Sequence, residues 1–233
     1  MGAYNGANHT PIKCGLPWWA YGYDTNSPQL DSTANYVSRD FSPLIVPKTV
    51  FLGFIGPEYQ RLRIRFASLS QDKLNRGLYH LIGTSEVMGN RCDFEGTITV
   101  ERITRLLIMH YGVDEEYKAK RLQAEGILTA RYEFRENPAQ KHSGVFSGIM
   151  TLSWYVDHGG KLRYDDIQID SDGYSNNQYV GTWTAYGTQS KPKKANWGEY
   201  EIPDSGDLEG GIAEFRPNPK YLKNGWDGYQ PGQ

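Results

Sequence analysis

Cysteine is scarce in this chain, with two in 233 residues, Cys14 and Cys92. Two thiols in a chain of this size do not make a disulfide framework. No Cys-x-x-Cys, no cluster of Cys with His and no pair of His at metal-ligand spacing occurs, so no metal is expected. A bond between Cys14 and Cys92 is arithmetically open, and a buried free thiol on a strand is the expected state of Cys92. Net charge is nearly absent as well, −2 at pH 7. No global field draws the chain to nucleic acid or to anionic lipid, and neither is an expected partner. No apolar run approaches the length of a membrane span. The opening Met1-Gly2-Ala3-Tyr4 has neither the basic n-region nor the apolar h-region of a secretory leader. The expected location is cytoplasmic if that start is native and secreted if a leader has been trimmed. Gly-x-Ser-x-Gly, the P-loop and the Rossmann fingerprint are all missing, and no cofactor is expected.

What the chain does have is tyrosine, tryptophan and glycine: 17 Tyr, 6 Trp and 26 Gly. Four short strings share one pattern: Gly96-Thr97-Ile98-Thr99, Gly126-Ile127-Leu128-Thr129, Gly148-Ile149-Met150-Thr151 and Gly181-Thr182-Trp183-Thr184. Each sits in a run that reads as a β-strand, and glycine in a strand marks a bend, a bulge or a close backbone approach. Repeated from strand to strand, such kinks are what a sheet needs in order to curl and close. The third residue of each string shares the glycine's face, which predicts Ile98, Leu128, Met150 and Trp183 on the inside of the curve.

Alternation supports the strands. Arg61, Arg63 and Arg65 oppose Leu62, Ile64 and Phe66; cross-strand acids such as Glu101 or Glu133 would make the arginines a solvated ladder. Leu128, Ala130, Tyr132 and Phe134 share one face, as do Phe146, Gly148, Met150, Leu152 and Trp154. Leu78, His80, Ile82, Thr84 and Glu86 fall together on a face of the run 77–87. Asp157-His158-Gly159-Gly160 is a hairpin turn, followed by a return strand over 161–169. The stretch 104–125 fits either a helix ending at Gly126 or one arm of a long hairpin. The Asp- and Asn-rich loop 170–177 lacks the EF-hand's glycine and twelfth-position acid, and reads as an Asx-rich connection. The sum is an all-β chain: an antiparallel barrel of about eight strands with at most one or two short helices. Its organisation is an irregular aromatic arm over 1–47, a barrel over 48–203 and an irregular tail over 204–233. The arm carries Pro17-Trp18-Trp19-Ala20-Tyr21-Gly22-Tyr23 and a glycosylation sequon at Asn8-His9-Thr10.

A barrel of this size carrying Gly181-Thr182-Trp183 resembles the calycins, the superfamily of lipocalins, fatty-acid-binding proteins and avidins. In those families Gly-x-Trp lies on the first strand and its Trp packs across the closed end; here it lies on one of the last. The resemblance implies a small ligand in the barrel interior and gives Trp183 the place of a barrel-floor residue. The aromatics favour the same function: a non-enzymatic barrel binding a small apolar or aromatic molecule. Trp154, Trp183 and Tyr132 are its expected wall residues and His80 its polar contact. Two alternatives stand beside it. One is a solid barrel whose arms dock a partner or a second copy. The other is an isomerase- or cyclase-like enzyme, which needs a pocket acid or base of shifted pKa; no catalytic residue is assigned.

Overall fold

The computed structural model describes residues 29–187, 190–210 and 215–230. Cys14, the sequon and the aromatic cluster of the N-terminal arm lie outside these residues. Among the described residues one sheet holds every strand: β1 (Gln29–Asp31), β2 (Leu52–Ile55), β3 (Gln60–Gln71), β4 (Leu78–Val87), β5 (Asn90–Leu106), β6 (Ala124–Glu136), β7 (Gly144–Val156), β8 (Leu162–Tyr164), β9 (Asn176–Ala185) and β10 (Lys193–Glu199). Eight of them close into an antiparallel barrel in which every strand neighbours the next along the chain, and β10 closes the ring on β2. This is an up-and-down barrel, which leaves no open sheet edge in the ring. β1 adds outside the ring to β5, and β8 to β7. Two short helices, α1 (Thr33–Tyr36) and α2 (Ser42–Ile45), precede the barrel.

The glycines reveal why the strands curl. Gly53, Gly83, Gly96, Gly126 and Gly148 each lie directly across a strand pair from an aromatic residue: Trp197, Phe94, Phe134, Trp154 and Tyr132. A Cβ on any of these glycines would run into the facing aromatic residue or the backbone behind it. Each glycine is therefore the seat of a large side chain from the next strand, an arrangement that fixes register as well as curvature. Bulges in β3 between Phe66 and Ser68, and in β5 between Val100 and Arg102, bend the wall further.

The centre of the barrel is filled. Tyr179 stacks on Trp197 at 5.0 Å, and Tyr132 meets Trp197 edge-on at 5.1 Å. Phe134 stacks on Phe94 at 5.2 Å. Aromatic contacts of this kind each add about 0.5–1.5 kcal/mol beyond area burial. The four inward residues of the glycine strings, Ile98, Leu128, Met150 and Trp183, are all buried. One end of the barrel is closed by the helical segment, where Tyr36 and Phe41 cover the fully buried Trp154. On the outer wall, Leu52 and Phe54 form a second small core with Ile202, Leu208, Phe215 and Trp226 of the C-terminal segment. Arg61 lies over the rings of Trp226 and Tyr229 there.

Several expectations are corrected. Residues 107–123 are neither helix nor hairpin arm: β5 runs on to Leu106, and the chain is then irregular apart from one 3-10 turn at Lys118–Lys120. The return strand after the 157–160 turn is three residues long. The expected arginine ladder is reduced to one rung: Arg63 pairs with Glu86 at 3.1 Å, Arg61 lies on aromatic rings instead, and Glu101 and Glu133 pair with Arg131 and Arg135. His80 is on the outside. The inward residues of β4 are Tyr79, Leu81, Gly83 and Ser85, and His80 is an exposed partner of Asp72 at 3.0 Å. Both faces of β4 carry aliphatic residues, with Ile82 facing out, so alternation alone does not say which side is in.

Candidate functional site

The end of the barrel opposite the helices is open. The β2–β3, β4–β5 and β6–β7 hairpin ends and the β9–β10 connection surround it. The β4–β5 turn is Met88-Gly89, both residues at positive φ as a two-residue hairpin turn requires. Within this rim lies a cavity of about 1140 Å³. That is somewhat above the range usual for ligand pockets, about 300–1,000 Å³. Its apolar wall includes Ile55, Val87, Phe146 and Trp183, and its rim carries Lys141, Lys191 and Lys193.

Glu136 stands inside this mouth. It is the last residue of β6, and the parity that turns Leu128, Ala130, Tyr132 and Phe134 inward turns Glu136 inward too. Only 4% of it is exposed. Burying a carboxylate requires donors, and three converge here. The Ser85 hydroxyl donates to Oε1, and Oε2 accepts from the Gly144 amide at 2.7 Å and from Trp183 Nε1 at 2.9 Å. The same residue's backbone carbonyl accepts the Tyr186 hydroxyl at 2.8 Å. Strands β4, β6, β7 and β9 are thereby joined at one carboxylate. The Trp183 indole is held edge-on to the carboxylate, with Lys193 Nζ 5.5 Å from its ring. Cys92 lies inward on β5 as a buried free thiol whose pKa is pushed up by burial and by the nearby Glu136 charge. Such a thiol is a poor nucleophile.

The four residues expected to line an interior site are dispersed. Trp183 lines the mouth, not a closed floor, because β9 runs toward the open end and stops two residues later at Ala185. Tyr132 is packed in the filled centre, with its hydroxyl against Gly148 and Gly181. Trp154 is sealed beneath the helices at the far end, and His80 faces solvent. Glu136 and Ser85 were not expected. Strand parity could have found Glu136, a charged residue terminating an apolar face. Ser85 lies 51 residues from Glu136 in sequence, and the two meet only because β4 and β6 flank β5 and the wall curls inward there.

Among the described residues, no group of three or more His, Cys, Asp or Glu is placed to hold a metal ion. What the mouth offers chemically is an oriented carboxylate with a hydroxyl beside it, a flat indole, an aliphatic wall and a cationic rim. No protein-family model, curated protein or solved structure matches this chain.

Proposed function

We propose that the barrel is a non-enzymatic binding protein that takes a small amphipathic molecule at its open mouth. The observation that carries this reading is the cavity with Glu136 buried in its wall. The apolar body of the ligand lies along Ile55, Val87, Phe146 and Trp183. A hydroxyl or amine on it donates to Glu136 or Ser85, where lone pairs remain after the internal bonds are made. The filled centre limits the ligand to the mouth, so the walls of the site are Trp183 and Phe146, not Tyr132 and Trp154. The carrier reading is favoured over the enzyme by how the polar groups are used. Glu136 is tied to three internal donors, and the neighbouring thiol is held protonated.

The test is native mass spectrometry of freshly purified protein, followed by thermal-shift screening with aryl-alkyl alcohols and amines. A retained mass or a raised melting temperature is expected. Glu136→Gln should weaken binding about tenfold, since a hydrogen bond to a charged group is worth about 1.5–3 kcal/mol. Trp183→Ala should weaken it further by removing the flat wall. The absence of both a retained mass and any shift across the screen would overturn the reading.

A further inference from the structure

A second concavity, of about 530 Å³, lies at the other end of the barrel, between the 3-10 turn Lys118–Lys120 and the β7–β8 hairpin. We propose that it binds a phosphate monoester. Four cationic side chains line it, Lys48, Lys120, Arg121 and Arg163, against two carboxylates, Asp157 and Asp166. A local excess of two positive charges stands out on a chain whose net charge is −2.

Both carboxylates are already engaged. Asp157 Oδ1 accepts the Gly159 and Lys161 amides, each at 3.0 Å, and Oδ2 accepts Arg163 Nε at 2.8 Å. Asp166 accepts the Tyr117 hydroxyl at 3.1 Å and lies 3.8 Å from Lys48 Nζ. Asp157 thus holds Arg163 by one edge and leaves its other nitrogens for an anion. Lys120 has no carboxylate partner among the described residues; its ammonium lies 3.3 Å from the centre of the Tyr117 ring.

Arg121 gives the most direct indication. Its backbone is left-handed, at φ 51° and ψ 58°. That conformation after a helical turn normally belongs to Gly or Asn. The Arg121 side chain makes no hydrogen bond or ion pair among the described residues that would offset the strain. Strain held without internal compensation is a mark of functional positions. An arginine fork and lysine point charges around a concavity match the geometry of a phosphate. The two excess charges match a monoester ionised above its second pKa, about 6. Tyr155, which also lines the cleft, offers a flat wall to the organic part.

The experiment is calorimetric titration of the full chain with phenyl phosphate, inorganic phosphate and benzoate at low and at raised ionic strength. Phenyl phosphate is expected to bind most tightly and to weaken as salt rises. Arg121→Gly should weaken it about tenfold and also raise the melting temperature, because glycine adopts positive φ without a Cβ clash. Trp183→Ala should leave it unchanged, which separates this cleft from the lysines of the mouth. The proposal is overturned if phenyl phosphate gives no heat, or if Arg121→Gly binds it like the wild type. It is overturned equally if benzoate or inorganic phosphate binds as tightly as the ester, or if Trp183→Ala abolishes the binding.

Discussion

Tyr132 carries a hydroxyl into the filled centre of the barrel, where it has no hydrogen-bond partner among the described residues. The oxygen is buried without a hydrogen bond and rests against Gly148 and Gly181, which face each other across β7 and β9. Burial holds the phenol far above its ordinary pKa, so it stays neutral. A buried unpaired hydroxyl costs about 1–3 kcal/mol of desolvation, and its removal recovers part of that. Tyr132→Phe is therefore expected to leave urea stability unchanged or to raise it by about 1 kcal/mol. A loss would mean that the hydroxyl has a partner. The glycine beneath it behaves oppositely. An alanine Cβ at Gly148 would overlap the Val180 carbonyl oxygen and come within 2.7 Å of the Gly181 Cα. Backbone cannot yield as a side-chain tip can, so Gly148→Ala should cost about 2–3 kcal/mol in the same denaturation experiment.

Between elements, the most connected residue is Glu199, the last of β10 and fully buried. Five donors meet its carboxylate: the Lys48 and Thr49 amides, the Thr49 hydroxyl, the Tyr164 hydroxyl and Asn177 Nδ2. The segment entering β2, strand β8 and strand β9 are fastened to β10 there. Glutamine at this position turns one acceptor into a donor facing donors. Glu199→Gln is expected to cost about 3–5 kcal/mol. Hydrogen exchange should localise the damage, with the Lys48 and Thr49 amides exchanging faster than those of β6. Uniform loss of protection would instead mean a global effect. Elements of this kind were the least legible in the sequence. The inward faces of β6 and β7 could be read residue by residue, because Leu128 to Phe134 alternate without a break and Phe146 to Trp154 depart from alternation only at Ile149. β4 could not, since aliphatic residues lie on both its faces and the parity that would place His80 is lost. The 107–123 connection has no period at all. It is held by contacts such as His110 Nδ1 to Glu125 at 2.7 Å, between groups 15 residues apart. At the mouth, Trp183 was legible from the glycine string. The Ser85–Glu136 and Trp183–Glu136 bonds each reach across an intervening strand, β5 or β7, and only the curl of the wall brings their ends within reach.

At the scale of the molecule, the titrating carboxyls divide by surroundings. Asp72 is held down to about 2, first by the Asn75 amide and then by His80 and the Leu74 amide. Asp31, Asp157 and Asp207 are lowered by their own hydrogen bonds, from Thr33, Arg163 and Lys220 respectively. These acids are ionised in the folded state at a pH where the unfolded chain has begun to bind protons. They favour the fold above their ordinary 3.8, and that contribution is lost as pH falls toward about 2. Two buried acids act in the other direction. Burial, and then the charge of Glu125, pushes Asp165 up to about 7. Burial, and then Glu209 beside it, pushes Glu201 from 4.5 up to about 8. Each keeps its proton in the fold while the unfolded chain has already released it. The fold binds more protons than the unfolded state through that window, so stability falls as pH rises from about 4 to about 8. The melting temperature should therefore peak near pH 4, where the lowered acids are ionised in the fold and the raised ones have only begun to lose their protons in the unfolded chain. Calorimetry across pH 3–9 checks this. Glu201→Gln, which carries no charge to bury, should recover about 1–2 kcal/mol at pH 8 after allowance for solvent screening of a partly exposed group. Asp165→Asn keeps an oxygen for the Ile167 amide, now 3.0 Å from Oδ1, and should flatten the same limb. A melting temperature that is flat or rising between pH 5 and 8 would show that these two carboxyls ionise in the fold as they do in the unfolded chain.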